Sequence, residues 1–317
     1  MRTINSLIIV LAISITAASN ALAIQTAGRE KPNRTRTTTR PLTKGAINKT
    51  IKKLEPLHVE LGKPKPGEWL DAHDEDGQTF KQYLRIRPNV LTAERNRLYV
   101  QPIGEFNAKQ NELITLSAEF LSIYFNCEVT TLKTKPETIL PDSAQRQHPT
   151  WGVHQLLTSH ILDNVLAPEL PHDAFATIAF TASDLWPGDG WNFVFGYAAF
   201  RDRVGVWSLY RFGDPTESDE AFKKCLSRTI KVATHETGHM FSIQHCTKYQ
   251  CNMQGSNSLQ ESDSQPLHLC PQCHAKILHA TGCDPVARYE NLIQFCKKHK
   301  LTDELQYFQK AKLELEK

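Results

Sequence analysis

The residues best equipped for chemistry stand together in one run, His235-Glu236-Thr237-Gly238-His239-Met240-Phe241-Ser242-Ile243-Gln244-His245. On a helix, side chains four apart lie one above the other on the same face. His235 and His239 can therefore put two imidazole nitrogens on one ion at ~2.0–2.1 Å. Glu236 is turned too far around the helix to join them easily as a ligand, but it is placed to bond a water and take its proton. His245 follows ten residues after His235, where a chain leaving the helix after Phe241 can swing back with a third nitrogen. Three protein ligands leave a fourth position for water, which marks a catalytic zinc site rather than a structural one.

A second group lies just beyond. Cys246 and Cys251 follow the third histidine, and Cys270-Pro271-Gln272-Cys273 is a Cys-x-x-Cys pair. Two such pairs joined by a loop suit a tetrahedral zinc held by four thiolates. Two local disulfides, Cys246–Cys251 and Cys270–Cys273, are the alternative. His268 and His274 flank the second pair and could stand in as ligands, but they read as exposed histidines. Met253, next to Gln254-Gly255-Ser256, suggests a tight turn beneath the first metal. Cys127, Cys225, Cys283 and Cys296 lack ligand spacing and can be paired or buried free thiols.

These residues need a scaffold. Leu98–Gln101 reads as a strand ending at Pro102, and residues 112–125 as a helix with Leu113, Leu116, Phe120 and Ile123 at helical spacing. Residues 127–132 are a second strand and 151–166 a second helix. Phe175–Thr181 is nearly continuous in apolar residues, the pattern of a strand buried on both faces of a mostly parallel sheet. Strands over 192–200 and 204–212 flank a hairpin turn at Arg201-Asp202-Arg203. A long helix over 217–244 carries the histidines, and one or two amphipathic helices follow Pro285. Alternating strands and helices make an α/β layer structure the natural reading.

The chain has 317 residues and a net charge of +3, too little by itself to imply a nucleic-acid partner. Arg2, the apolar run Leu7–Ala18 and Ala21-Leu22-Ala23 together read as a signal peptide over 1–23. The protein is then expected to be secreted or periplasmic, with an uncleaved, membrane-tethering signal as the alternative. The apolar run is shorter than the ~20 residues of a spanning helix, so no stable membrane span is expected after cleavage. Residues 24–53 carry nine Lys or Arg against one acidic residue, Glu30. Poor in large apolar groups, they read as a basic disordered linker before a domain over 54–317.

The order His235 to His245, Cys246, four residues, Cys251, one residue, Met253, and later Cys270-x-x-Cys273 resembles the archaemetzincins, a family of the metzincin clan of zinc peptidases. Asp184-Leu185-Trp186-Pro187 and Trp191-Asn192-Phe193-Val194-Phe195-Gly196 resemble the family's segment before its active-site helix. The resemblance implies a metzincin-like α/β (α+β) domain with a twisted mixed sheet, an active-site helix and a cysteine-rich, helical C-terminal part. It also implies an edge strand above the zinc, placed at Phe195–Ala199 with Phe195, Gly196 and Tyr197 binding substrate, since an antiparallel edge can hold an extended peptide. Met253 is then the Met-turn methionine, and two zinc ions are expected, one catalytic and one structural on the four cysteines. The implied activity is zinc-dependent peptide hydrolysis with Glu236 as general base, aminopeptidase-like on small peptides, by a monomer. A non-catalytic, zinc-containing peptide-binding protein is the rival. One departure stands out: Ser242 occupies a position where the clan has glycine at the helix end, and a side chain at positive φ costs about 1 kcal/mol or more.

Overall fold

The computed structural model describes residues 42–317. The signal-peptide reading and the linker reading up to residue 41 lie outside the described residues.

The basic segment gains structure earlier than its composition suggests. Helix α1, Lys44–Leu54, starts on the Thr43 cap and buries Ile47, Thr50 and Leu54 against two C-terminal helices described below. Its apolar residues fall at helical spacing, so one face is buried while the lysines stay outside. The disordered reading therefore fails from Lys44 onward, because a mean over 30 residues hides an amphipathic stripe. Two short helices follow, α2 (Trp69–Ala72) and α3 (Phe80–Arg85), the second closed by a capping box from Thr79 and Gln82.

The central sheet has strand order β2-β1-β5-β8-β7. Its members are β1 (Arg97–Ile103), β2 (Glu128–Thr131), β5 (Ala174–Thr181), β7 (Gly196–Ala199) and β8 (Val204–Ser208). The first four in spatial order are parallel, and β7 pairs antiparallel with β8 at the edge. β5 is buried at every position, as its apolar run requires. β1 runs through Pro102 rather than ending there. The Pro102 carbonyl accepts from Lys135 on the β2 side, where β2 has already stopped at Thr131. The missing proline N–H therefore costs no ladder bond.

One face of the sheet carries α4 (Ala108–Tyr124) and α6 (Asp219–Met240), packed on each other and on Leu98, Val100, Ile178, Phe180 and Trp207. The opposite face holds a smaller core around Ile103, Ala179, Val204, Val206 and Leu185. It is covered by a three-stranded sheet of β3 (Gln145–Gln147), β4 (His154–Leu157) and β6 (Asp184–Trp186), and by a short turn α5 (Thr158–His160) that widens into a π-helix over Ile161–Leu166. The helix expected over 151–166 thus begins only at Thr158, after the strand His154–Leu157. Gln155 explains why: buried on β4, it donates to Asp184 Oδ2 and to the Asn192 carbonyl, a bond pattern that joins sheet to loop. Wholly buried Asp184 also takes Arg211 bidentately, which anchors the strip leading into β7.

α7 (Leu259–Ser264), α8 (Pro271–Thr281), α9 (Pro285–His299) and α10 (Thr302–Glu316) complete the described chain. α1 packs on α8 and α10. Among the described residues no helix is long and apolar enough to cross a membrane.

Candidate metal centre

α6 begins at the Ser218 cap and ends at Met240, four residues short of the end read from sequence. The chain then turns through Ser242 at φ 65°, which lets it leave the helix axis and bring His245 back. The ligand nitrogens of His235, His239 and His245 lie within 4.8 Å of one another.

Each ring is held by its Nδ1. His235 meets the Asn252 carbonyl at 2.7 Å, His239 the Ile243 carbonyl at 2.6 Å, and His245 both oxygens of Glu75 at 3.0 Å. A carbonyl can only accept, so Nδ1 of His235 and His239 must carry the proton. Burial pushes His235 down to about 3 and His239 well down, so both rings are neutral. Their Nε2 atoms are then bare lone pairs, yet they face each other at 3.0 Å. Two lone pairs at that distance repel unless a cation lies beside them. The donor set, its tautomers and its convergence all fit a divalent ion such as zinc.

Glu236 sits beside this group, partly buried. Burial pushes its carboxyl up to about 7, opposed by the charge of His245. Gly196 on β7 lies directly over it: a Cβ there would come within 3.2 Å of Glu236 Cγ and 3.1 Å of Trp207 Cβ. A side chain there would push Glu236 or Trp207 away by a few tenths of an ångström. A Cβ on Gly238 would meet Met253 Sδ at 2.5 Å, so the methionine packs flat beneath the histidine turn.

The four cysteines form the second group. All are buried and free of disulfides, with their ligand atoms within 4.8 Å of one another. Cys246 and Cys270 sulfurs stand 3.6 Å apart, far beyond the ~2.05 Å of a disulfide and close to the ~3.8 Å edge of a Zn–S₄ tetrahedron with 2.3 Å bonds. Cys270 caps α8, its sulfur accepting from Cys273 N at 3.4 Å, and Cys251 sulfur accepts from the amides of Met253 and Cys270. Wholly buried Lys276 points its ammonium at Cys273 sulfur, 3.8 Å away. A buried ammonium needs a counter-charge, and a zinc on four thiolates carries a net charge of −2. The cluster also braces the first site, because Cys246 N donates to the Met253 carbonyl at 2.6 Å. His274, read as exposed, is completely buried against Tyr289, and His268 is stacked on Tyr307. Each is part of a helix-packing surface, and the charge-poor sequence around them gave no sign of it.

The structure places the predicted substrate residues unevenly. Phe195 turns its carbonyl to Ser208 N in the β8 ladder and packs its ring on Phe193 and Phe212. Tyr197 shares that backbone direction, and its side chain is exposed. By the alternation of a strand, Gly196 and Ala198 turn their amides and carbonyls outward along the edge. Val194, in the same phase, uses its outward N–H to bond Leu185. Sequence reasoning missed Glu75 and the carbonyls of Ile243 and Asn252. Glu75 had one faint signal, its place in the acidic run Asp71 to Asp76.

Residues 155–279 match the model of peptidase family M54. Human archaemetzincin-2 is 31% identical over 281 residues, covering 78% of this chain and 77% of that protein. Human archaemetzincin-1 is 29% identical over 258 residues, covering 71% of this chain and 51% of that protein. Solved archaemetzincins from Methanopyrus kandleri and Archaeoglobus fulgidus are 27% and 28% identical, with TM-scores of 0.48 and 0.44. They cover 60% and 57% of this chain, and 98% and 99% of their own. Archaemetzincin-2 is matched over more than three quarters of both chains, and this chain belongs to the archaemetzincin family of zinc metallopeptidases.

Proposed function

We propose that the chain cleaves peptide bonds with a catalytic zinc held by His235, His239 and His245, Glu236 as general base, and a structural zinc on Cys246, Cys251, Cys270 and Cys273. The observation that carries this reading is the pair of bare Nε2 lone pairs facing each other 3.0 Å apart beside a carboxyl that burial holds near neutrality. A zinc ion in such a site polarises a carbonyl and brings a water's pKa towards ~7. Glu236 takes the proton from the attacking water and delivers it to the leaving amine, a role suited to a carboxyl whose affinity for protons lies near the working pH. The outward backbone groups of Gly196 and Ala198 hold the peptide as an added strand above Glu236. Met253 forms the floor under the histidines without serving as a ligand.

Glu236→Gln keeps the shape and the neutral charge of the protonated acid but cannot accept the proton. The variant should retain zinc and lose nearly all hydrolysis; cleavage at the wild-type rate would remove Glu236 from this role. The aminopeptidase-like expectation on small peptides extends the same proposal. A peptide-library digest should show cuts one residue from the N-terminus, and internal cuts would end it. We further propose export of a monomer with residues 1–23 removed. The mature N-terminus should then be Ile24 by mass spectrometry, with intact Met1 as the contrary result.

A further inference from the structure

Two of the three histidines ride on α6 and need only a carbonyl to fix their rings. His245 has no such scaffold: it follows a bend, and that bend is strained. Ser242 adopts φ 65°, a left-handed conformation that costs a side-chain-bearing residue about 1 kcal/mol or more. The bend is held from a segment far upstream. Asn89 N donates to Ser242 Oγ at 3.0 Å, and Asn89 Nδ2 donates to the Met240 carbonyl at 3.0 Å. Gln78 Nε2 reaches the Ser242 carbonyl at 3.3 Å, and Tyr83 hydroxyl donates to the Phe241 carbonyl at 2.9 Å. The ring that the bend delivers is then met by Glu75, whose two oxygens stand equally 3.0 Å from His245 Nδ1. Trp69 stands beside the Glu75 carboxylate, edge-on to His245 at 5.0 Å and against Gly255 of the Met253 loop. All of these upstream residues lie before the part of the chain that matches the family model, residues 155–279.

We propose that Glu75 is a positioning residue for the catalytic metal, fixing the tautomer and orientation of His245, within an upstream clasp over residues 75–89 that holds the strained bend in place. The inference rests on the zinc reading of the three histidines. Its chemistry is specific to His245. A carboxylate on Nδ1 keeps the proton there and raises the basicity of Nε2 more than a neutral carbonyl does. The one ligand without helical support thus receives the one charged partner. Asp76, next in sequence and exposed, carries the same charge on the adjacent residue.

The test uses the full chain loaded with zinc and reads zinc affinity by competition with a chromophoric chelator, beside melting of the metal-free protein. Glu75→Ala should weaken the histidine-site zinc 10- to 100-fold, the range typical of lost ligand-supporting partners. Glu75→Gln, which keeps an acceptor oxygen without the charge, should fall between Ala and wild type. Asp76→Asn should match wild type, which separates contact from general field. Cobalt in the histidine site supplies a second readout: its visible bands should shift in Glu75→Gln and stay in place in Asp76→Asn. Wild-type zinc affinity and unshifted cobalt bands in both Glu75 variants would overturn the proposal, even if the metal-free protein melts lower, because Glu75 would then be a latch only. Failure of the underlying zinc reading looks different. In that case His235→Ala and His239→Ala leave the zinc content of the chain unchanged.

Discussion

Glu236→Gln should make the protein more stable at alkaline pH while removing its activity. The Glu236 carboxyl, ordinarily at 4.5, is pushed up to about 7 by burial in the protein without metal. Between those pH values the folded state keeps the proton and the unfolded chain has lost it, so stability falls as pH rises and the full cost is present above ~7. Each pH unit of separation is worth 1.36 kcal/mol, giving roughly 3 kcal/mol; the residual access of the side chain to water trims this to about 2–3 kcal/mol. Glutamine carries no charge to bury and escapes the cost. The assay is thermal melting of wild type and Glu236→Gln at pH 5 and pH 8, after a mild chelator has removed the histidine-site metal and left the cysteine site loaded. The variant should melt about 5 °C higher at pH 8, at roughly 2 °C per kcal/mol for a domain of this size, and nearly level with wild type at pH 5. Adding zinc should narrow the gap at pH 8, because a nearby cation favours the carboxylate. A gap of the same size at both pH values, or a variant less stable at pH 8, would refute the reasoning.

The bend gives a second test. Ser242→Ala removes the bond to Asn89 and keeps the positive φ, so it should cost about 1 kcal/mol. Ser242→Gly loses the same bond but relieves the strain, and should stay within roughly 0.5 kcal/mol of wild type by denaturant unfolding; an alanine variant as stable as the glycine one would contradict the strain. At the cysteines, Cys270→Ser should lower the zinc content by one ion per chain and the melting temperature by about 10 °C or more, since structural zinc contributes folding free energy directly. Unchanged zinc content would place the ion elsewhere. On the edge strand, Ala198→Pro deletes an outward N–H without touching the β8 ladder. It should reduce kcat/KM for peptides about tenfold or more with little change in stability, and an unaffected kcat/KM would mean that substrate does not pair with this edge.

What the sequence disclosed follows from how far apart in the chain the interacting groups are. His235 and His239 are one helical turn apart, and Cys270 and Cys273 share a cap, so local periodicity alone brings these pairs together. β5 and the β7–β8 hairpin were legible, because nearly continuous burial and a short turn are local patterns, but the strands read over 192–200 and 204–212 shorten to Gly196–Ala199 and Val204–Ser208, the second giving way to a 3₁₀ turn at Tyr210–Phe212. The 151–166 segment was misread for the opposite reason. His154–Leu157 becomes a strand by pairing on both sides, with Gln145–Gln147 before it and with Asp184–Trp186 some thirty residues on, and neither partner carries a strand signal of its own in sequence. The early part of the domain was hidden by its lysines, which sit on the outer face of α1 while Ile47 and Leu54 are wholly buried.

Ser242 shows how such a limit bears on the chemistry. Read alone, a serine where glycine is expected predicts a loose third ligand, since strain at the bend must be relieved somewhere. In the fold the strain is retained: φ is 65°, and the side chain that causes the cost also accepts the Asn89 amide that offsets part of it. Glycine at 242 could relax the backbone but could not make that bond. The bend and the residues that hold it are separated by about 150 to 170 positions, a distance at which no periodicity or spacing rule links them. The site is therefore legible as a set of ligands, while the tension of its third arm is set by an upstream segment that carries no motif of its own. A substitution at Asn89 or Gln78, far from any metal ligand in sequence, acts on the same bend as one at Ser242. Effects there should accordingly be non-additive, as expected for groups sharing one strained turn.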